Sequence, residues 1–131
     1  MSAVGIVLIS HSRALAEGAA DVASSVCQGG ARVIGIGGTE DGQLGTSLEA
    51  LVSAVEKADD GAGVVIIADL GSSVLTSRSY LADPSYAVAG VHLADAPFVE
   101  GAVAAAVVAS TGAPVEAVLA AAEEARDARK S

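Results

Sequence analysis

The chain has 131 residues, 52% of them apolar and 2% aromatic, and a formal net charge of −9 with seven Lys plus Arg. That length suits one domain with a single substantial core, and one domain over residues 1–131 is the expectation. The acidic balance argues against nucleic acid or an anionic membrane as partner, since either would repel this surface, and it points any charged protein partner to a basic face.

Aromatic platforms for single-stranded nucleic acid are also missing. Cys27 is the only cysteine, so no internal disulfide can form and a reducing compartment fits. It reads as a small core residue near a helix end. No stretch reaches the roughly 18–20 apolar residues that span a bilayer, and no basic, cleavable leader opens the chain. A soluble, cytoplasmic protein is expected.

Val4–Ile9 is a continuous aliphatic run, the pattern of a strand covered on both faces. It stops at Ser10-His11-Ser12, where Ser12 can cap a helix carrying Leu15, Ala19, Val22, Ala23 and Val26 at helical spacing. Gly29-Gly30 ends that helix. Arg32–Ile36 reads as a second strand, followed by a glycine-rich loop from Gly37 to Gly45.

A second helix begins at Thr46 or Ser47, with Leu48, Leu51, Val52 and Val55 on one face. Asp59-Asp60-Gly61 turns the chain into a third aliphatic strand, Gly63–Ala68. Asp69-Leu70-Gly71-Ser72-Ser73 leads into a third helix ending near Leu81, which Asp83-Pro84 breaks. A fourth strand is expected over Ala87–Leu93. Two alanine-rich helices follow, about Phe98–Ser110 and Pro114–Arg129, with Pro114 in a first turn.

Strands alternating with helices predict an α/β fold with a parallel sheet and right-handed crossovers. The carboxyl ends of parallel strands share one edge, where open α/β sheets bind ligands. Ser10-His11-Ser12, Gly37-Gly38, Asp69 and Asp95 all fall on that rim. His92 lies inside the fourth strand and reads as structural.

A neutral imidazole offers one nitrogen as nucleophile, while its N–H needs an acceptor that fixes tautomer and orientation. Asp69 is the best candidate for that acceptor on His11, because first and third strands are commonly adjacent in such sheets. A transferred phosphoryl group is stabilised by positioned donors. Backbone N–H groups at helix starts supply them, with the hydroxyls of Ser12, Thr46, Ser47, Ser72 and Ser73 beside them. Against this stand plainer readings: His11 as an exposed or capping residue, the aspartates as turn formers, the hydroxyls as ordinary caps.

Nucleotide motifs fail. The run from Gly35 has Glu40 where GxGxxG needs its last glycine, and Gly45-Thr46-Ser47 lacks the Walker lysine. His11, Asp69 and Asp95 could be metal ligands, but their spacing is not diagnostic.

Four stretches in order, GIVLISHSRALAEG, GGTEDGQLGTS, ADLGSSV and LADAPFVEGAVAAAV, resemble the phosphocarrier subunits of phosphoenolpyruvate-dependent dihydroxyacetone kinases. These are related to the mannose-type enzyme IIA domains of the sugar phosphotransferase system. The likeness runs over essentially the whole chain. His-Ser and Asp-Leu-Gly-Ser-Ser are closer to the dihydroxyacetone branch than to the mannose branch, which more often shows His-Gly and Gly-Gly-Ser-Pro.

The resemblance implies a three-layer sandwich with a four-stranded parallel sheet in order 2-1-3-4, about five flanking helices and a homodimer. It implies that His11 accepts phosphate from the histidine-phosphorylated carrier HPr, a separate protein, with Asp69 orienting the ring. Gly38, Gly45, Thr46, Ser47, Gly71 and Ser72 match the motif lining the site, and Ser12 joins them as a phosphate-binding candidate. The phosphate would pass to ADP on the nucleotide-binding kinase subunit, regenerating ATP there for dihydroxyacetone held on a third subunit. No permanently bound cofactor and no metal are implied. Ser73 stands where relatives often have alanine.

The nearest alternative is an enzyme IIA component of a mannose-class sugar transporter. A small metal chelatase would need a second histidine, and only His92 is available. A two-component receiver lacks the acidic pair after its first strand that would hold magnesium beside Asp69. A non-catalytic interaction module would bind its partner without His11.

Overall fold

A computed structural model describes residues 3–39, 41–86 and 88–131. Its strands are β1 Gly5–Ser10, β2 Val33–Gly37, β3 Val64–Ala68 and β4 Val91–Ala94. The helices are α1 Arg13–Val26, α2 Leu48–Ala58, α3 Gly71–Ala82, α4 Phe98–Ala109 and α5 Val115–Glu124. All strand pairs are parallel, in the order β2-β1-β3-β4. The expected topology is therefore the observed one.

Side chains alternate across the two central strands, so successive residues feed opposite layers. Ile6 and Leu8 of β1 join Val65 and Ile67 of β3 under α1, α4 and α5. Val7 and Ile9 join Val64 and Ile66 under α2 and α3. Every residue of β1 and β3 is buried, which explains their unbroken aliphatic runs. Each buried Val, Leu or Ile contributes about 1.5–3 kcal/mol, so these two strands anchor the domain.

Three expectations need correction. The first helix does not bury Leu15, Val22 and Val26, which are 44%, 49% and 52% exposed; it buries Ala16, Ala19, Ala20 and Ala23. The cause is close approach: a Cβ on Gly35 would lie 2.4 Å from the Ala16 carbonyl oxygen, and one on Gly37 would lie 2.6 Å from that of Ser12. Only small residues fit a helix seated so near the sheet. Glu17 and Arg13 share a cleft with Gly35–Thr39 of the β2 side, leaving Leu15, Val22 and Val26 on the other flank.

The fourth strand starts at Val91, later than expected. Pro84–Tyr86 forms a 3-10 turn whose Tyr86 ring stacks on Tyr80 at 5.6 Å, and this turn takes up chain before the sheet is rejoined. Ala87, expected to open the strand, lies outside the described residues. The last helix ends at Glu124, and Ala125–Asp127 tightens into a 3-10 turn tied by Arg126 to the Glu123 and Asp95 carbonyls.

The order of strands places the site. The chain moves from β1 outward to β2, then crosses back to β3 on the other side, so the connections diverge between β1 and β3. A crevice opens at the carboxyl ends of such a pair. Residues 10–12 and 69–73 meet there.

Candidate functional site

Strand β1 ends at Ser10, and Ser12 begins the cap of α1, so His11 occupies the single residue between them. The ladder with β3 continues one step beyond it: Asp69 N–H donates to the Ile9 carbonyl at 3.1 Å. That bond sets the Asp69 side chain beside His11. The imidazole Nδ1 and Asp69 Oδ1 are 3.2 Å apart, with the histidine side chain 28% exposed and the aspartate 8%.

The carboxylate is saturated with donors. Oδ1 accepts from Leu70 N–H at 2.7 Å and from the Ser73 hydroxyl at 2.6 Å; Oδ2 accepts from the Ser10 hydroxyl at 2.8 Å and from His11 N–H at 3.2 Å. Burial raises the Asp69 pKa, but these donors, Ser73 and Ser10 foremost, outweigh it and hold the group at about 2, below 3.8. Asp69 is therefore an acceptor only, and His11 must present N–H at Nδ1. Its Nε2 then carries the lone pair and points outward, where the Ser72 hydroxyl donates to it.

Helix α3 starts at this point. Its cap, Leu70, makes no side-chain bond to the first turn, which leaves the N–H groups of the exposed Gly71 and Ser72 without a side-chain cap at the positive end of the helix dipole. An anion held beside Nε2 would meet these groups. The site is thus a nucleophilic nitrogen, a fixed carboxylate behind it and unspent amide donors in front.

The structure brings His11, Asp69, Gly71 and Ser72 together. Gly45 joins them through its backbone, donating to the His11 carbonyl at 3.0 Å. The other expected phosphate ligands also have local contacts, and a hydroxyl that accepts a bond keeps its own O–H to donate. The Ser12 hydroxyl accepts from Leu15 N–H at 3.2 Å and that of Ser47 from Ala50 N–H at 3.2 Å, each as a helix cap. Thr46 shares a 2.7 Å hydroxyl contact with Thr76, and Gly38, at φ +77°, shapes the turn closed by Thr39 and Gln43.

Asp95 makes its contacts elsewhere: its carboxylate is 3.6 Å from Arg126 and its N–H donates to Glu123 at 3.0 Å. His92 sits in β4 in register with Val65. Cys27 caps the end of α1, half-buried against the core. Among the described residues, no three His, Cys, Asp or Glu side chains come together as a metal site, and no helix is long and apolar enough to cross a membrane.

For two serines the role as partners of Asp69 was not legible. Ser10 reads as the last residue of a strand and Ser73 as one more hydroxyl at a helix start, yet both are fully buried with their hydroxyls on Asp69. A serine ending an otherwise aliphatic buried strand is the one signal that marks Ser10, because a buried hydroxyl needs a partner.

The family described as the PTS system fructose IIA component, the mannose-type enzyme IIA family, matches residues 5–119. A phosphoryl donor subunit of PEP-dependent dihydroxyacetone kinase from Providencia stuartii is 33% identical over 97% of this chain, and its counterpart from Escherichia coli is also 33% identical over 97%. The chain spans only 28% of the length of each of these two relatives. A corresponding subunit from Listeria innocua is 31% identical over 88% of this chain and 94% of its own length. The crystal structure of a protein of unknown function, EF1359, superimposes with a TM-score of 0.81 at 30% identity, covering 99% of this chain and 98% of that one. The chain belongs to the mannose-type enzyme IIA family of the phosphotransferase system.

Proposed function

We propose that this protein is a phosphohistidine carrier serving a dihydroxyacetone kinase, with His11 as the residue phosphorylated. One observation carries the reading: Nδ1 is tied to a carboxylate that can only accept, so Nε2, against the Ser72 hydroxyl at the start of α3, carries the lone pair. The names of the curated relatives support the kinase branch over a sugar transporter.

In the first transfer the Nε2 lone pair forms a bond to phosphorus as the N–P bond of phospho-HPr breaks, and that electron pair returns to the donor's imidazole. The proton on Nδ1 stays in place. The His11 ring becomes cationic, and Asp69 balances it. The phosphoryl oxygens take the N–H groups of Gly71 and Ser72. In the second transfer a β-phosphate oxygen of ADP, held on the nucleotide-binding subunit, attacks phosphorus while the N–P pair returns to Nε2. ATP forms there and phosphorylates dihydroxyacetone on the third subunit.

The part-exposed ring suits a handover between proteins, and the chain's charge of −9 favours a donor with a basic face. A homodimer without a resident cofactor, in the cytoplasm, completes the reading. The test is reconstitution: phosphorylated protein mixed with the two kinase subunits, ADP and dihydroxyacetone should yield dihydroxyacetone phosphate, and His11→Ala should yield none. Undiminished product from His11→Ala would overturn the proposal.

A further inference from the structure

Ser73 lies behind the reacting ring, fully buried, with no route to the phosphoryl group for its side chain. Its hydroxyl donates to Asp69 Oδ1 at 2.6 Å and stands 3.4 Å from His11 Nδ1. Oδ1 is the same oxygen that takes the Nδ1–H of His11, at the longer distance of 3.2 Å. Charge-assisted N–H···O bonds are usually about 2.7–2.9 Å. The ring therefore holds the weaker share of an oxygen that a serine and an amide have already partly neutralised.

We infer that Ser73 is a positioning residue that sets the phosphoryl-transfer equilibrium of His11: by competing for Asp69 Oδ1 it limits how strongly the carboxylate stabilises the cationic, phosphorylated ring. This rests on the reading of His11 as the phosphoryl acceptor. The unphosphorylated ring is neutral and the phosphorylated ring is charged, so any change in the carboxylate's charge density acts more on the second. Removing the Ser73 hydroxyl frees Oδ1 from its shortest donor. The space left is that of one oxygen atom, less than the about 30 Å³ a water takes up in the liquid, so solvent does not replace the donor. The freed charge falls on Nδ1–H. The carboxylate then holds phospho-His11 more tightly, and the phosphoryl group is passed on less readily.

Ser77 supplies the control. It is the other buried serine of α3, but its hydroxyl donates to the Ser73 carbonyl at 2.8 Å within the helix rather than to Asp69.

The experiment poises wild type, Ser73→Ala, Ser73→Cys and Ser77→Ala against a fixed ratio of phosphorylated to free HPr and measures the phosphorylated fraction at equilibrium. In parallel, the ¹H shift of the Nδ1 proton is read by NMR. Ser73→Ala should move the equilibrium about fivefold toward phospho-His11, the worth of one hydrogen bond, and shift the Nδ1 proton downfield. Ser73→Cys, a weaker donor, should fall between Ser73→Ala and wild type, and it serves if the alanine variant fails to fold. Ser77→Ala should match wild type in both readouts.

A Ser73→Ala equilibrium equal to wild type, or moved toward the free ring, overturns the inference, as does an equal shift in Ser77→Ala. If wild type itself takes no phosphate on His11, the carrier reading fails first. Labelled wild type with an unresponsive Ser73 variant leaves that reading standing and removes only the role of Ser73.

Discussion

The Nδ1 of His11 and the Oδ1 of Asp69 lie 3.2 Å apart across the seam between β1 and β3, Asp69 one residue and His11 two residues beyond the last pair, Ile9 with Ala68. The backbone bond from Asp69 N–H to the Ile9 carbonyl fixes that distance. The geometry is a consequence of sheet register, so changes to the side chains can be read with the fold intact.

Asp69→Asn puts an amide where all five neighbours donate. Whichever way the amide turns, its NH₂ meets either the Ser10 hydroxyl and His11 N–H or the Ser73 hydroxyl, Leu70 N–H and the ring. In the second case Nδ1 becomes the acceptor and Nε2 holds the proton, which removes the attacking lone pair. Phosphorylation of the variant by phospho-HPr should slow by roughly 10²-fold or more, followed by rapid quench. Wild-type rates would remove Asp69 from the account.

Ser72→Ala deletes the hydroxyl that donates to Nε2 in the free protein. A neutral bond of about 1 kcal/mol is lost there, but a bond to the charged phosphoryl group, about 1.5–3 kcal/mol, is lost in transfer. The difference predicts phosphorylation slowed about fivefold, measured in single-turnover transfer. A faster variant would mean the hydroxyl only obstructs the ring.

Glycines on and under α1 should respond in opposite directions. A Cβ on Gly37 would lie 2.6 Å from the Ser12 carbonyl oxygen and 2.8 Å from the Arg13 nitrogen, both backbone atoms. Gly37→Ala should cost about 2–3 kcal/mol in urea unfolding and disturb the segment that holds His11. Gly18, in the exposed face of α1, has nothing within 4 Å of such a Cβ, and Gly18→Ala should add about 0.5–1 kcal/mol.

Acid stability should report the donors around Asp69. Its folded pKa of about 2 lies below the ordinary 3.8, so between those values the unfolded chain binds a proton that the folded chain does not. The stabilisation, about 2 kcal/mol, is full above 3.8 and is lost as pH falls through about 2. Urea titrations from about pH 5 to pH 2 should show wild type losing that much more stability than Asp69→Asn. Parallel curves would contradict the donor set.

The sequence carries the sheet because β1 and β3 are buried on both faces and run aliphatic until Ser10 closes the first, and the junctions that break those runs mark the rim. His11 and Asp69 follow from adjacency of the two strands. Ser10 and Ser73 did not, since a serine ending a strand and a serine starting a helix each have an ordinary local role that sequence cannot tell from a tertiary one. Leu15, Val22 and Val26 misled for a related reason: helical spacing marks an apolar stripe, but Gly35 and Gly37 decide which stripe can approach the sheet. Ser12 and Ser47 have an ordinary local role as well, accepting from Leu15 and Ala50 N–H as caps of their own helices.

Which ring nitrogen takes the phosphate is the most direct test of His11 as a carrier. Protein labelled with ¹⁵N-histidine and phosphorylated by phospho-HPr, observed by NMR at mildly alkaline pH, should show phosphorus coupled to His11 Nε2 and a proton retained on Nδ1. Phosphate on Nδ1, or on any residue other than His11, would contradict it.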